Sequence, residues 1–98
     1  MKSRSGIENK LRFLENNDFP VANRIINMLI LDKRENHSVG YKGIKYKTLR
    51  EKVLGQLKDV NGQDYDRVFE LLYQKGYVTP YDQRKKQNNR HYHINSSM

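Results

Sequence analysis

The chain has 98 residues, no cysteine and a formal net charge of +8, from 19 Lys and Arg against 11 Asp and Glu. A chain of this length holds one domain with a modest core, so a deep substrate cleft beside that core is not expected. The lack of cysteine excludes disulfides and thiolate metal sites. No apolar run approaches the ~18 residues of a membrane span, and the first residues lack the apolar segment of a signal peptide.

Residues 1–19 are expected to form an extension with a short helix over 7–16. Its apolar residues Ile7, Leu11 and Leu14 recur at i, i+4 and i+7, so they share one face of that helix. That face can pack onto the same chain, or it can be the contact surface of a homodimer. The spacing does not choose between the two.

The most hydrophobic stretch, from Pro20 to about Arg34, predicts the central core helix. Asn17 or Asp18 can cap its start, and proline suits the first turn because its missing N–H has no partner there. A glycine-containing loop over 35–43 ends the helix. Its predicted apolar side comprises Val21, Ile25, Ile26, Met28, Leu29 and Ile30.

A second helix is predicted after that loop. Residues 43–46 favour a short strand, and the helix is expected to begin at Lys47 or Thr48 and to run to residue 58. Its predicted apolar side comprises Leu49, Val53, Leu54 and Leu57.

The stretch Tyr65–Val78 has the clearest helical pattern in the chain, and it belongs to a helix predicted over 61–75. Asn61 suits the N-cap, and Asp64 follows at the capping-box position. Gly76 stands where a helix ends in a left-handed residue, which glycine adopts freely. The residues that share the apolar face are Tyr65, Val68, Phe69 and Leu72.

Two strands, 77–82 and 90–95, are predicted beyond this helix, with a loop over 83–90 between them. Alternate residues of a strand point to opposite sides. In the second strand one side comprises Tyr92 and Ile94, and the other comprises His91 and His93.

Loop 83–90 is strongly basic, since it has no acid and four cations between Arg84 and Arg90. Its candidates for contact with phosphates or base edges are Arg84, Lys85, Lys86, Asn88, Asn89 and Arg90. Lys47 and Arg50, near the start of the second helix, are candidates for the sugar–phosphate backbone. An ordinary solvated surface is the alternative for both groups.

The order of these elements resembles the winged helix-turn-helix superfamily over about residues 20–95. The strongest match is Tyr65-x-x-x-Phe69-x-x-Leu72-x-x-x-Gly76-Tyr77-Val78, which is similar to the recognition helix and first wing strand of small bacterial, archaeal and phage regulators. The resemblance implies an α+β fold, with a three-helix core and a C-terminal β-hairpin wing, plus the short N-terminal helix.

The resemblance also implies roles for three segments. Helix 61–75 would enter the DNA major groove, where Gln63 and Arg67 are the candidate base readers. Loop 83–90 would be the wing, and the helix over 46–58 would brace the recognition helix.

The outward side of helix 61–75 departs from that pattern, because Asp64, Asp66 and Glu70 would repel phosphates. Glutamate can still accept from cytosine N4. This acidic side favours an alternative, in which the winged helix binds a protein partner. The chain's seven tyrosines favour another, a binder of RNA or single-stranded nucleic acid that stacks bases on aromatic rings.

The sequence contains no motif of a catalytic nucleophile, a metalloprotease or a phosphate-binding loop, so an enzyme is not expected. His91 and His93 supply two imidazoles without a third ligand, so a metal site is not expected either. We predict no cofactor and no small-molecule effector.

We therefore expect residues 20–95 to form a double-stranded DNA-binding domain, either sequence-specific or general. The protein would be a small transcriptional regulator that acts by occupying its site, in the cytoplasm of a prokaryotic cell or a virus-infected host cell. Residues 96–98 would be a disordered tail.

Overall fold

The structure is a computed structural model, which describes Leu14, residues 18–36 and residues 38–95. The described residues form an α+β fold of three helices and a three-stranded antiparallel sheet. In chain order the elements are α1 (Phe19–Asn36), β1 (Ile44–Lys45), α2 (Tyr46–Gln56), α3 (Gly62–Gln74), β2 (Val78–Pro80), a 3₁₀ turn (Gln87–Asn89) and β3 (His91–Ile94). The helix predicted over 7–16, with Ile7 and Leu11, lies outside the described residues, as do Asn17 and the tail 96–98.

The sheet has the order β1-β3-β2, so β3 is its central strand. Tyr92 of β3 lies opposite Ile44, and Ile94 lies opposite Val78. Both β3 residues are buried, which confirms the predicted alternation along this strand. Pro80 is tolerated because β2 is an edge strand, where a missing N–H breaks no ladder.

The core joins the helices to the sheet through a group of aromatic rings. The apolar face predicted for α3 is buried in full. The ring centroid of Phe69 lies 4.7 Å from that of Tyr46 and 4.7 Å from that of Tyr92, in edge-to-face geometry. Because these three residues belong to α3, α2 and β3, their contacts fix the position of both helices against the sheet.

Helix α2 begins at Tyr46, before the predicted start at Lys47 or Thr48. The Tyr46 N–H donates to the Arg90 carbonyl at 2.9 Å. Strand β1 therefore passes directly into the helix, with no linker residue. The helix also ends at Gln56, short of residue 58, because the next residue is in an extended conformation.

Helix α3 has the predicted start and stop signals. The Asn61 side chain accepts the Asp64 N–H at 2.8 Å, which confirms the predicted cap. Gly76 has φ 80°, the left-handed conformation expected of it. The Tyr77 N–H then donates to the Leu72 carbonyl at 3.0 Å, which closes the helix end.

Helix α1 starts at Phe19, the last residue of the predicted extension, of which the structure describes Leu14, Asp18 and Phe19. The Asp18 carbonyl accepts the Ala22 N–H at 3.0 Å, so Asp18 occupies the N-cap position. Leu14 is partly buried and packs against the core of its own chain. Across the described segments, no helix combines the length and apolar character needed to cross a membrane.

Candidate nucleic-acid interface

Arg67, a predicted base reader on α3, is engaged by carboxylates of its own chain. Its guanidinium donates to both oxygens of Asp18, at 2.6 and 2.9 Å, and lies 3.3 Å from a carboxylate oxygen of Asp64. Asp18 is only 5% exposed, and the hydrogen bond from Arg67 lowers the pKa of its carboxyl group. Arg67 thus joins the start of α1 to α3.

Arg50, predicted to contact the backbone, is also paired. Its Nε lies 2.9 Å from Asp66, which accepts the Tyr46 hydroxyl at 2.5 Å as well. The Arg50 guanidinium lies close to the start of α3, since a Cβ on Gly62 would lie 2.1 Å from it. Burial, and next the hydrogen bond to Asp66, raise the pKa of the Tyr46 phenol.

The rest of the outward side of α3 carries few available donors. Glu70 accepts a hydrogen bond from the side-chain amide of Gln74 at 3.1 Å. Gln63 is exposed, as the prediction requires. The three acids of this side, which the sequence pairs with only one arginine in the helix, therefore each have a partner within the protein.

The loop over 83–90 connects β2 to β3, and its residues 83–89 are all exposed. Arg90 organises it: its guanidinium donates to the carbonyls of Gln83 at 3.1 Å and Lys85 at 2.7 Å, and to the Tyr92 hydroxyl at 3.0 Å. The 3₁₀ turn packs beside α2. Arg90 thus serves the loop's own structure, although it was predicted as a nucleic-acid contact.

The other predicted loop residues point into solvent. Arg84 donates to Asp82 at 3.2 Å, and this hydrogen bond lowers the pKa of the aspartate. Lys85 and Lys86 are exposed. Asn88 and Asn89 lie in the exposed 3₁₀ turn, and Lys47 is exposed at the start of α2.

A basic surface extends from the loop onto the outer side of the sheet, and we call it the strand–wing surface. It comprises Lys42, Lys45, Tyr81, Lys85 and His91. Lys45 lies opposite His91 in the β1–β3 register. The Lys42 ammonium lies 5.6 Å from the ring centroid of Tyr81. Lys42, Tyr81, Lys85 and His91 share a depression of about 100 Å³ with Asp82.

The electrostatics of His91 reflect this concentration of charge. Partial burial lowers the pKa of its imidazole, and the neighbouring Lys42, Lys45 and Lys85 lower it further. The positive charges of all three lysines therefore act on this one ring.

Sequence reasoning assigned Lys47 and Arg50 to binding and left Lys42 and Lys45 among unassigned basic residues. The strand alternation carried a usable signal, because it placed His91 on the outer side, and β1 pairing puts Lys45 beside it. The partnership of Arg67 with Asp18 had no such signal, since the two are 49 residues apart.

Two further features bear on ligands. Within 18–36 and 38–95, no three His, Asp or Glu side chains are placed to hold a metal ion. An open groove of about 540 Å³ lies beside Asp18 and Arg67, between the start of α1, the α2–α3 turn and α3. Charged and polar side chains make up much of its wall.

A comparison of the chain with known protein families, curated proteins and solved structures finds no match. The assignment of a function therefore depends on the geometry and charges described above.

Proposed function

We propose that this chain is a double-stranded DNA-binding protein of the winged-helix type, either sequence-specific or general, and that it is a small transcriptional regulator that acts by occupying DNA in the cytoplasm. The order of elements and the sheet order β1-β3-β2 are compatible with a winged helix-turn-helix domain, and this compatibility supports the proposal. Here α2 and α3 form the helix-turn-helix pair, joined by residues 57–61, and loop 83–90 is the wing.

The observation that carries the proposal is the exposed, cationic wing. A loop that folded back onto the domain would have no access to a duplex, whereas residues 83–89 are exposed throughout. Lys85 and Lys86 have no ion-pair partner among the described residues. Exposed cations beside a helix of groove size suit a polyanion, and the net charge of +8 supports the approach to one.

Fluorescence anisotropy with a labelled random-sequence duplex, at two salt concentrations, tests the proposal. We expect salt-sensitive binding, because each lysine–phosphate contact contributes about −0.9 to the log–log slope. Replacing Lys85 and Lys86 together by alanine should weaken binding to all sequences and reduce the slope by up to about 1.8.

The matched control is the double variant Arg24→Ala, Arg34→Ala. It removes the same charge from exposed positions of α1. If both double variants lose affinity equally, only net charge matters and the wing is not the contact. A wild-type protein that binds no duplex in dilute buffer contradicts the proposal.

The acidic outward side of α3 favours a second candidate, a winged helix that binds a basic protein partner. Residues 62–74 carry three acids and one arginine, a formal charge of −2. This candidate predicts no salt-sensitive binding to nucleic acid of any kind.

Exposed aromatic rings favour binding of RNA or single strands as a further candidate. Tyr73 is 37% exposed and Tyr81 is 52% exposed. Competition of the labelled duplex with unlabelled single-stranded DNA and RNA distinguishes this candidate, because stacking on aromatic rings favours unpaired bases.

A further inference from the structure

The outward side of α3 is poorly suited to reading bases, because its one cation is committed elsewhere. Arg67 makes a bidentate pair with Asp18, whose carboxylate is almost completely buried. If Arg67 turned towards a guanine, it would leave that buried charge without a partner, which is strongly unfavourable. The free energy of base recognition would have to exceed this cost.

The remaining charges of α3 oppose the approach of DNA. Its acids Asp64, Asp66 and Glu70 outnumber Arg67, so residues 62–74 have a formal charge of −2. Arg50, the nearest cation of α2, is already bound to Asp66. A duplex that inserted this helix into its major groove would bring phosphates towards carboxylates.

The strand–wing surface has the opposite character. Lys42, Lys45 and Lys85 all lie close enough to His91 to affect it. The acid that shares their depression, Asp82, is already engaged by Arg84. No ion pair neutralises these three lysines among the described residues. An external anion that approaches this surface would therefore meet three exposed lysines that are free to pair with it.

The residue types on this surface suit phosphates better than bases. A lysine ammonium is a compact charge on a flexible stem, and it lacks the planar fork with which arginine reads guanine. Contacts to phosphate position a protein on a duplex but carry no sequence information directly.

We propose that the strand–wing surface is the main DNA contact and grips the sugar–phosphate backbone of a duplex, so that binding is independent of sequence and α3 reads no bases. This inference rests on the duplex binding of the proposed function, and it selects the general form of that binding over the sequence-specific form. It replaces insertion of α3 into the major groove as the mode of binding.

The test compares three double variants by fluorescence anisotropy on a random-sequence 30-base-pair duplex. The first, Lys42→Gln and Lys45→Gln, alters β1 and the residues before it. The second, Gln63→Ala and Glu70→Gln, alters the outward side of α3. The third, Arg24→Gln and Arg34→Gln, removes as much positive charge as the first, but from α1. Circular dichroism checks that each variant is folded.

We expect the first variant to lose about tenfold or more in affinity at low salt and to flatten the log–log salt slope by up to about 1.8. The α1 variant should lose clearly less, and the α3 variant should stay within about twofold of the wild type. Selection of bound DNA from a random pool should enrich no motif. Lys85→Gln alone provides a second measurement, with a slope change of about 0.9.

Three outcomes would overturn the inference while leaving the proposed function in place. One is an enriched motif whose recognition is lost in the α3 variant. Another is an equal loss of affinity in the β1 and α1 variants. A third is an affinity and a salt slope that stay at the wild-type values in both Lys85→Gln and the β1 variant. A wild-type protein that binds no duplex overturns both the inference and the proposed function.

Discussion

Tyr46 and Tyr65 are both buried phenols, but their hydroxyl groups have opposite surroundings. The Tyr46 hydroxyl donates to Asp66 at 2.5 Å. The Tyr65 hydroxyl is buried without a hydrogen-bond partner among the described residues. Burial raises the pKa of both phenols, so both are neutral at physiological pH. A buried hydroxyl that lacks a partner costs about 1–3 kcal/mol of desolvation.

Replacing each tyrosine by phenylalanine should therefore have different effects on stability. Tyr46→Phe removes a hydrogen bond to a charged group, and it should lower the free energy of unfolding by about 1–2 kcal/mol. Tyr65→Phe removes an unsatisfied group and should be neutral or stabilising by up to about 1 kcal/mol. Urea unfolding measures both, with equal m-values as the sign of an unchanged fold. A clear loss in Tyr65→Phe would mean that its hydroxyl is satisfied.

Gly43 is required where the chain enters β1. Its φ is 101°, and an added Cβ would lie 2.0 Å from the backbone oxygen of Tyr92. We expect Gly43→Ala to cost about 3 kcal/mol or more, because the clash is with the backbone of the central strand and the conformation is strained as well.

Gly40→Ala is the matched comparison for that prediction. Gly40 has φ 83°, but nothing lies within 4 Å of its added Cβ. Gly40→Ala should therefore lower the free energy of unfolding through backbone strain alone, by about 1–2 kcal/mol. Thermal or urea unfolding of both variants measures the difference, and equal losses would show that the approach to Tyr92 is not close in solution.

Loop 83–90, the proposed wing, is organised largely by the Arg90 side chain. Its other hydrogen bonds include those from the Asn89 N–H to the Lys86 carbonyl at 3.0 Å, from the Arg90 N–H to the Gln87 carbonyl at 3.1 Å and from the Arg84 N–H to the Asp82 carboxylate at 3.1 Å. The guanidinium of Arg90 reaches two carbonyls and a phenol at once because its donors lie in one rigid plane.

Arg90→Lys should loosen the wing while keeping its charge. A lysine ammonium cannot reproduce the planar fork of donors, so the closed form of the loop should become less stable. If closing becomes less favourable by about 1.4 kcal/mol, the population of the open loop rises tenfold. We expect amide hydrogen exchange over residues 83–89 to accelerate about tenfold or more. Arg84→Lys is the control: among the described residues the Arg84 side chain bonds only to Asp82, two positions before it, so this replacement should leave exchange unchanged. Equal exchange in both variants would show that Arg90 does not hold the loop.

Helix α3 could be predicted almost to the residue, because its signals are local. The apolar spacing, the cap at Asn61 and the stop at Gly76 all lie within the segment itself. The start of α2 could not, since it depends on the hydrogen bond between Tyr46 and Arg90, from the far end of the chain. The pairing of Arg67 with Asp18 likewise depends on two distant segments meeting, and no periodicity records it.

Over the whole molecule, charge is separated between two surfaces. Two carboxylates of α3, those of Asp64 and Asp66, are engaged with arginines, whereas the lysines of the strand–wing surface lack ion-pair partners among the described residues. Alternation predicts only which side of a strand a residue occupies, so from the sequence His91 could be placed on the side opposite Tyr92 and Ile94. Alternation could not show that lysines from a loop, from β1 and from the wing converge on it.

Stability should fall in two separate pH windows. The lowered pKa of His91 means that the unfolded chain binds its proton more readily, so stability is lost as the pH falls from about 6.5 towards the folded pKa. The lowered pKa of Asp18 stabilises the fold above about 3.9, and that contribution is lost as the pH falls through its folded value.

Single variants separate the two windows. His91→Gln should reduce the loss of stability that begins below about pH 6.5. Asp18→Asn should lower stability at neutral pH, and it should reduce the loss that begins below about pH 3.9. Urea unfolding between pH 3 and pH 8 measures both, with the variant curves compared to that of the wild type. If His91→Gln follows the wild-type curve below about pH 6.5, its imidazole has no depressed pKa.

The central position of β3 also affects how the molecule is made. Both β1 and β2 pair with β3 and not with each other, and β3 follows both in the chain. Until β3 is in place, the two earlier strands have no partner for their hydrogen-bonding edges. A chain cut within loop 83–90 would leave those edges exposed to aggregation and to chaperones, and also the aromatic surface that Tyr92 covers in the folded protein.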